Sequence, residues 1–334
     1  MSILKPILEV ENLKMYYSTK LGYVKAVDGI SFVLNEGESL GLVGESGCGK
    51  TTTSMAIMRL LAENAEILSG HIYFKGKDLL KLNNEEMNKV RWAGISMIFQ
   101  AAMNSLNPVY KVGDQIIEAI ITHEPNVTFE EARERVVNLY KLVGLDPKRI
   151  DNYPHEYSGG MKQRAIIAMS LSCNPDMIIA DEPTTALDVI VQDMILKEMS
   201  RIQKKLNMSM IYISHDIAVI AEVAEKIGIM YAGKLVELSD SVTIFKRPAH
   251  PYTIGLMSSF PSVKGEKKEL VTIPGEPPNL LNAPDSCRFA PRCPFATKEC
   301  LEKEPPYEEI EPNHFIACFH PQNLRKQVNE YAKG

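Results

Sequence analysis

Gly44-Glu45-Ser46-Gly47-Cys48-Gly49-Lys50-Thr51 fits the pattern G-x-x-x-x-G-K-[ST], a loop that cradles nucleotide phosphates. Its flanks suit that role. Ser39-Leu40-Gly41-Leu42-Val43 reads as a short buried strand. Thr52 to Leu61 reads as a helix, with apolar residues at Met55, Ile57, Met58, Leu60 and Leu61. Strand, glycine loop and helix start together make an anion trap. Glycines let successive backbone N–H groups turn inward, and the helix N-terminus adds partial positive charge. In such a loop Lys50 reaches the β- and γ-phosphates and the Thr51 hydroxyl ligates Mg²⁺. The expected ligand is therefore a Mg²⁺-bound nucleotide polyphosphate, held by Gly44 through Thr51 with Thr52 beside them.

Working outward, the 334 residues exceed one average domain. Net charge is -5 and the pI about 5.9, so no basic field points to nucleic acid. No apolar run is long enough to span a bilayer, and the N-terminus lacks the pattern of a signal peptide, which makes the cytoplasm the default. Thirteen of twenty prolines fall after Phe245, as do Cys287, Cys293, Cys300 and Cys318. This composition shift places a boundary near Phe245, giving segments 1–245 and 246–334. The second is expected to be loop-rich, with a core of its own.

Upstream of the loop, Leu8–Tyr17 and Ala26–Leu34 read as antiparallel strands, and Gly70–Gly76 and Ile95–Phe99 as further strands. Asn107–Cys173 turns helical, with a capping box at Thr128-Phe129-Glu130-Glu131 opening a helix to Leu142 that Gly144 ends. Strands at Met177–Ala180, Ser209–Ile213 and Ile227–Tyr231 then alternate with helices at Val189–Leu206 and Ile217–Glu225. That alternation is a parallel α/β signature, with a helical block of about 101–173 inserted. The strand ending in Asp181-Glu182 carries a second set of candidates. Asp181 is placed to hold Mg²⁺ through water, and Glu182 to polarise an attacking water.

Tyr157-Ser158-Gly159-Gly160-Met161-Lys162-Gln163-Arg164 resembles the signature motif of the ATP-binding-cassette (ABC) ATPases. The resemblance implies a P-loop NTPase (RecA-like) core with an antiparallel β subdomain, an inserted α-helical subdomain and a loop-rich C-terminal extension. It also implies that Ser158, Gly159, Gly160, Met161 and Gln163 close on the ATP of a second cassette. Tyr157 and Met161 depart from the commonest Leu and Gln. Gln100 is similar to the Q-loop glutamine, a ligand of Mg²⁺ and water. Thr185-Ala186-Leu187-Asp188 resembles the D-loop, His215 the switch histidine at the γ-phosphate, and Tyr17 the aromatic that stacks on adenine.

Lys246–Thr253, Ile273–Pro278 and Cys287–Pro294 resemble the C-terminal extension of oligopeptide/dipeptide importer ATPases. The cysteine spacing there departs from the close first pair of structural zinc sites, and a reducing cytosol disfavours disulfides. Four thiolates on widely spaced loops suit a 4Fe–4S cluster, which the dipeptide branch with this cysteine set holds. Zn²⁺ and free thiols stay open as alternatives. His314 and His320 read as surface or core residues rather than ligands. Cys48, beside Lys50 and a helix start, is expected to be a reactive thiol shielded by ATP.

The resemblance implies an ATPase at the cytoplasmic face of the membrane, energising uptake of di- or oligopeptides. Its implied partners are a second homologous ATPase in a heterodimer, two transmembrane permease subunits docking near Ala101–Gln115, and an extracellular substrate-binding protein. Nucleic acid is not among them. Rival readings are nickel or oligosaccharide import, a soluble ABC ATPase acting on ribosomes or DNA, and a nucleotide switch without turnover.

Overall fold

A computed structural model describes residues 5–185, 187–258 and 273–323. The first part of the chain forms β1 (Pro6–Thr19), β2 (Gly22–Asn35), β3 (Ser39–Val43), α1 (Lys50–Met58), β4 (Ala65–Phe74), β5 (Lys77–Asp78) and α2 (Asn84–Val90). β6 (Ile95–Ile98), α3 (Val112–His123), α4 (Phe129–Leu142), α5 (Gly159–Ser170) and β7 (Met177–Asp181) follow. Then come α6 (Val189–Leu206), β8 (Ser209–Ser214), α7 (Ile217–Ala221), β9 (Lys226–Tyr231), β10 (Lys234–Asp240) and α8 (Ser241–Lys246). α9 (Pro251–Ser258), α10 (Lys298–Glu302), β11 (Tyr307–Glu311) and β12 (His314–Ala317) close the chain. These elements divide between two units.

The first unit combines the N-terminal stretch to Glu9 with Val33–Ser39 and Ile72–Ser214. Its sheet is parallel, with β7 between β6 and β8; Ile98 pairs with Ala180, and Asp181 with Ile213. All five residues of β7 are buried, so only an apolar run can fill it, and Asp181 ends it. The inserted helices bury one stripe each. α3 turns in Val112, Ile116, Ile117 and Ile120; α4 turns in Ala132, Val136, Leu139 and Tyr140. Each such isoleucine or leucine adds about 1.5–3 kcal/mol. The capping box at Thr128 and Glu131 forms, and Gly144 takes φ +70° just beyond the helix.

The second unit comprises Val10–Phe32, Leu40–His71 and the chain from His215 onward. Here β3 runs parallel to β9, β9 pairs antiparallel with β10, β10 with β12, and β12 with β11. β2, β1 and β4 are neighbours in the antiparallel sheet. The C-terminal segment is less separate than its composition suggests. Phe245 lies inside α8, and β12 joins β10 through Glu237 opposite Ile316. Glu237, fully buried, accepts the Ala249 and His250 N–H groups at 2.8 and 3.0 Å and bonds His314 Nε2 at 2.8 Å. Phe289 packs against Tyr231 and Tyr252 at centroid distances of 5.2 and 5.4 Å. The expectation of a separate core for the cysteine segment is thereby corrected: its aromatic residue packs onto the end of β9. Strands as short and as Glu-rich as β11 carry too little alternation to be read from sequence. No helix among the described residues is long and apolar enough to cross a membrane.

Candidate nucleotide and cysteine sites

The phosphate loop of the second unit is built by backbone that excludes side chains. Gly49 caps α1 at φ +106°, where a Cβ would strike the Ala26 carbonyl; a Cβ on Gly44 would strike the Met230 carbonyl. Lys50 is 6 % exposed, and its Nζ donates to the Gly44 and Glu45 carbonyls at 2.7 and 3.0 Å. Ser46, Gly47 and Thr51 are exposed. Tyr17 approaches the start of α1, its hydroxyl 3.5 Å from Thr52 Oγ1. His215 belongs to the same unit and is exposed. Cys48 departs from expectation. It is 3 % exposed, and burial pushes its thiol up, outweighing the opposing charge of Lys50 at 3.6 Å. It is a buried, protonated thiol rather than a reactive one.

In the first unit Gln100 and Glu182 meet. Gln100 Nε2 donates to Glu182 Oε2 at 2.8 Å, and the Thr185 hydroxyl lies 3.2 Å from the same oxygen. Asp181 is 1 % exposed at the end of β7. Glu182 itself has φ +46° and Ala101, after Gln100, φ +55°. Glu182 N–H donates to the Ile213 carbonyl at 2.9 Å, and the Glu182 carbonyl accepts from Thr185 Oγ1 at 3.0 Å and from the Thr185 N–H at 3.2 Å, bonds that hold the unusual backbone.

The signature stretch opens α5. Ser158 Oγ accepts the Met161 N–H at 3.3 Å, and Ser158 and Gly159 are exposed, while Gly160 and Met161 are half-buried. Gln163 lies on the inner side, 2 % exposed. The Tyr157 departure has a local reason: its hydroxyl donates to the Arg149 carbonyl at 2.6 Å and meets the Tyr140 hydroxyl at 2.9 Å. Asp188 caps α6 by accepting the Val191 N–H at 2.9 Å; Ala186 of that quartet lies outside the described residues.

Cys287, Cys293, Cys300 and Cys318 line one cavity, with Phe289, Phe295 and Phe319 around them. Cys287 N–H donates to the Cys300 carbonyl at 3.1 Å, which ties the first and third. Burial pushes the Cys318 thiol up to about 12, and the three neighbouring cysteines add to this. Among the described residues no group of three or more His, Cys, Asp or Glu side chains is arranged around a single ion. His314 is buried on Glu237, and His320 Nε2 meets the Thr297 hydroxyl at 2.9 Å.

Comparison with known proteins supplies the family. A family profile described as ABC transporter matches residues 27–185. A second, described as the C-terminal region of oligopeptide/dipeptide transporters, matches residues 236–300. A dipeptide transport ATP-binding protein DppD of Lactococcus lactis is 46 % identical over 315 residues, 94 % of this chain and 90 % of its own. The chain belongs to the ATP-binding subunits of the oligopeptide/dipeptide ABC transporters. An oligopeptide transport ATP-binding protein OppD of Escherichia coli is 45 % identical over 94 % of this chain and 93 % of its own. Among solved structures, the ADP- and phosphate-bound dimer of the cassette MJ0796 superposes with a TM-score of 0.63 at 25 % identity, covering 70 % of this chain and 98 % of that one. The protein thus has the ABC cassette fold, with its antiparallel β and helical subdomains.

Sequence reasoning missed several residues that touch these motifs. Arg292 and Tyr252 bind Glu45 of the phosphate loop, and Thr185, read there only as part of the D-loop quartet, binds Glu182. Arg292 lies 247 positions from Glu45, and no local pattern announces such a pair.

Proposed function

We infer that this protein hydrolyses ATP to energise import of di- or oligopeptides. The whole-length similarity to DppD and OppD proteins, which includes the C-terminal segment, carries the reading. Gly44–Thr52 and Lys50 bind the phosphates, and Tyr17 stacks on adenine. Thr51, Asp181 and Gln100 hold Mg²⁺. Glu182, oriented by Gln100 and Thr185, polarises the attacking water, and His215 contacts the γ-phosphate. Ser158, Gly159, Gly160 and Met161, with Asp188, serve a partner cassette. Gln163, which the resemblance groups with them, is buried on α5. The division into 1–245 and 246–334 describes the cassette and its subfamily-specific extension.

The assembly that fits is a heterodimer with a second cassette on the cytoplasmic face, joined to two permease subunits and fed by an external binding protein. Uptake of labelled di- and tripeptides by cells lacking the gene, complemented with wild type or Glu182→Gln, tests this. Restoration of peptide uptake by wild type alone is expected. Restoration of nickel or oligosaccharide uptake instead would replace the substrate class.

The cysteine cavity supports a second, structural reading: Cys287, Cys293, Cys300 and Cys318 hold a 4Fe–4S cluster. Four thiols share one cavity, and thiolates are the ligands of such a cluster. Zn²⁺ stays the alternative occupant of the same four cysteines. The role of the cluster would be to fasten loops. Iron and sulfide analysis of protein purified without oxygen decides: about four of each per chain is expected from the cubane stoichiometry, and protein with neither would end this reading.

A further inference from the structure

The segment Cys287–Cys293 reaches the phosphate loop. Arg292 is 9 % exposed. Its Nη1 donates to Glu45 Oε2 at 2.8 Å and its Nη2 to Glu45 Oε1 at 3.0 Å, a fork against a carboxylate. Two further bonds fix the guanidinium: Nε donates to the Pro274 carbonyl at 2.8 Å and Nη1 to the Tyr231 hydroxyl at 3.3 Å. Glu45 is the second residue of the loop. Its N–H donates to the Tyr252 hydroxyl at 3.0 Å, and its carbonyl accepts from Lys50. One loop residue thus joins Arg292, Tyr252 and the phosphate-binding lysine.

We propose that Arg292 is a positioning residue for nucleotide binding, which neutralises and orients Glu45 so that the phosphate loop accepts a polyphosphate. The proposal rests on the assignment of Gly44–Thr51 as the ATP loop. An uncompensated carboxylate at its second position would oppose the phosphates it must receive. A loop with glycines at 44, 47 and 49 also needs restraint from outside, because it has few side chains with which to hold itself. The pair is sheltered, with side-chain exposures of 7 % and 26 %, so salt screens it less than a surface pair. Removing one member therefore leaves the other's charge largely uncompensated. Because Arg292 directly precedes Cys293, the fold of the cysteine segment sets the charge balance of the loop.

Equilibrium binding of a fluorescent Mg-ATP analogue to the full chain is the test. Arg292→Met is expected to weaken binding by about tenfold or more, while kcat at saturating ATP stays within about threefold. The double variant Glu45→Gln/Arg292→Met is expected to regain most of the loss, because the stray charge is gone. A merely structural anchor would instead lower the urea midpoint of Arg292→Met and leave its Kd unchanged. Asp285→Asn, which breaks the exposed Lys25–Asp285 pair of the same segment, is the control and leaves Kd unchanged. If Arg292→Met loses its cooperative melt, Arg292→Lys takes its place, keeping charge without the fork; a weakening of about threefold is then expected. A folded Arg292 variant with wild-type Kd overturns the proposal, as does a double variant no better than Arg292→Met alone. Lys50→Ala separates the two readings. Normal ATP binding by Lys50→Ala would end the loop assignment and the proposal with it. Lost binding in Lys50→Ala beside wild-type Kd in Arg292→Met would end the positioning role only.

Discussion

At the scale of single residues, Glu182 and Cys48 show how environment sets chemistry. Glu182 adopts a left-handed backbone that a non-glycine residue rarely takes, and Ile213 and Thr185 hold it there. Its carboxylate accepts from Gln100 Nε2 at 2.8 Å and lies 3.2 Å from the Thr185 hydroxyl. Glu182→Gln keeps this shape and removes the base. Phosphate release is expected to fall by about 10²–10⁴-fold with ATP binding retained. Wild-type turnover in that variant would remove Glu182 from its role. Cys48 behaves oppositely to the rule that a helix start activates a thiol. Desolvation outweighs Lys50 and raises the folded pKa, so thiolate forms only above the ordinary cysteine range. Alkylation at neutral pH is expected to be slower than for a free cysteine, and its rate profile shifted to higher pH. A rate matching free cysteine would contradict this.

At the scale of elements, short polar contacts fix helices that apolar stripes alone would leave able to slide. In α4 the Thr128 hydroxyl accepts the Glu131 N–H at 3.3 Å while Glu131 accepts the Thr128 N–H at 2.8 Å. Thr128→Ala is expected to cost about 1 kcal/mol. The Tyr140–Tyr157 pair ties α4 to the residue before the signature loop. Tyr157→Phe leaves the buried Tyr140 hydroxyl without that partner and is expected to cost about 1–3 kcal/mol. Urea midpoints at unchanged slope measure both. An unshifted midpoint in Tyr157→Phe would mean that the pair contributes nothing.

At the scale of the whole molecule, the C-terminal segment is anchored by buried charge. Arg288 bonds Asp28, 260 positions away, and donates to the Ala232 carbonyl at 2.5 Å. Asp28 also accepts from Tyr16 at 2.7 Å and faces Lys234 at 3.2 Å and Lys14 at 3.6 Å. Burial raises the Asp28 pKa, but the Tyr16 bond and the charges of Lys234 and Arg288 outweigh it and bring it to about 2. A carboxylate depressed in this way stabilises the fold above its unfolded pKa, and that stability is lost as pH falls through the folded value. The contribution is about 2 kcal/mol, fully present above pH ~4 and gone below about 2. Asp28→Asn is expected to lower stability at pH 7 and to flatten this acid limb. Acid unfolding with the wild-type slope in Asp28→Asn would show that Asp28 is not the group responsible.

The chain's own letters announced the phosphate loop pattern, the acids at the end of β7, the capping box of α4 and the family. These signals are local: a glycine pattern, a period of 3.6 and a run of apolar residues lie within a few positions of one another. Tertiary structure alone decided what those motifs lean on. β11 is short and Glu-rich and β12 only four residues long, so neither announces itself, yet they extend the sheet through β10. Cys48 carried every sign of activation, and only its burial reverses the sign. Arg288 and Arg292 look like ordinary surface cations beside two cysteines. Folding brings each to a carboxylate roughly 250 positions away, at Asp28 and Glu45. Desolvation and long-range pairing depend on what surrounds a side chain in space, and no local pattern encodes that.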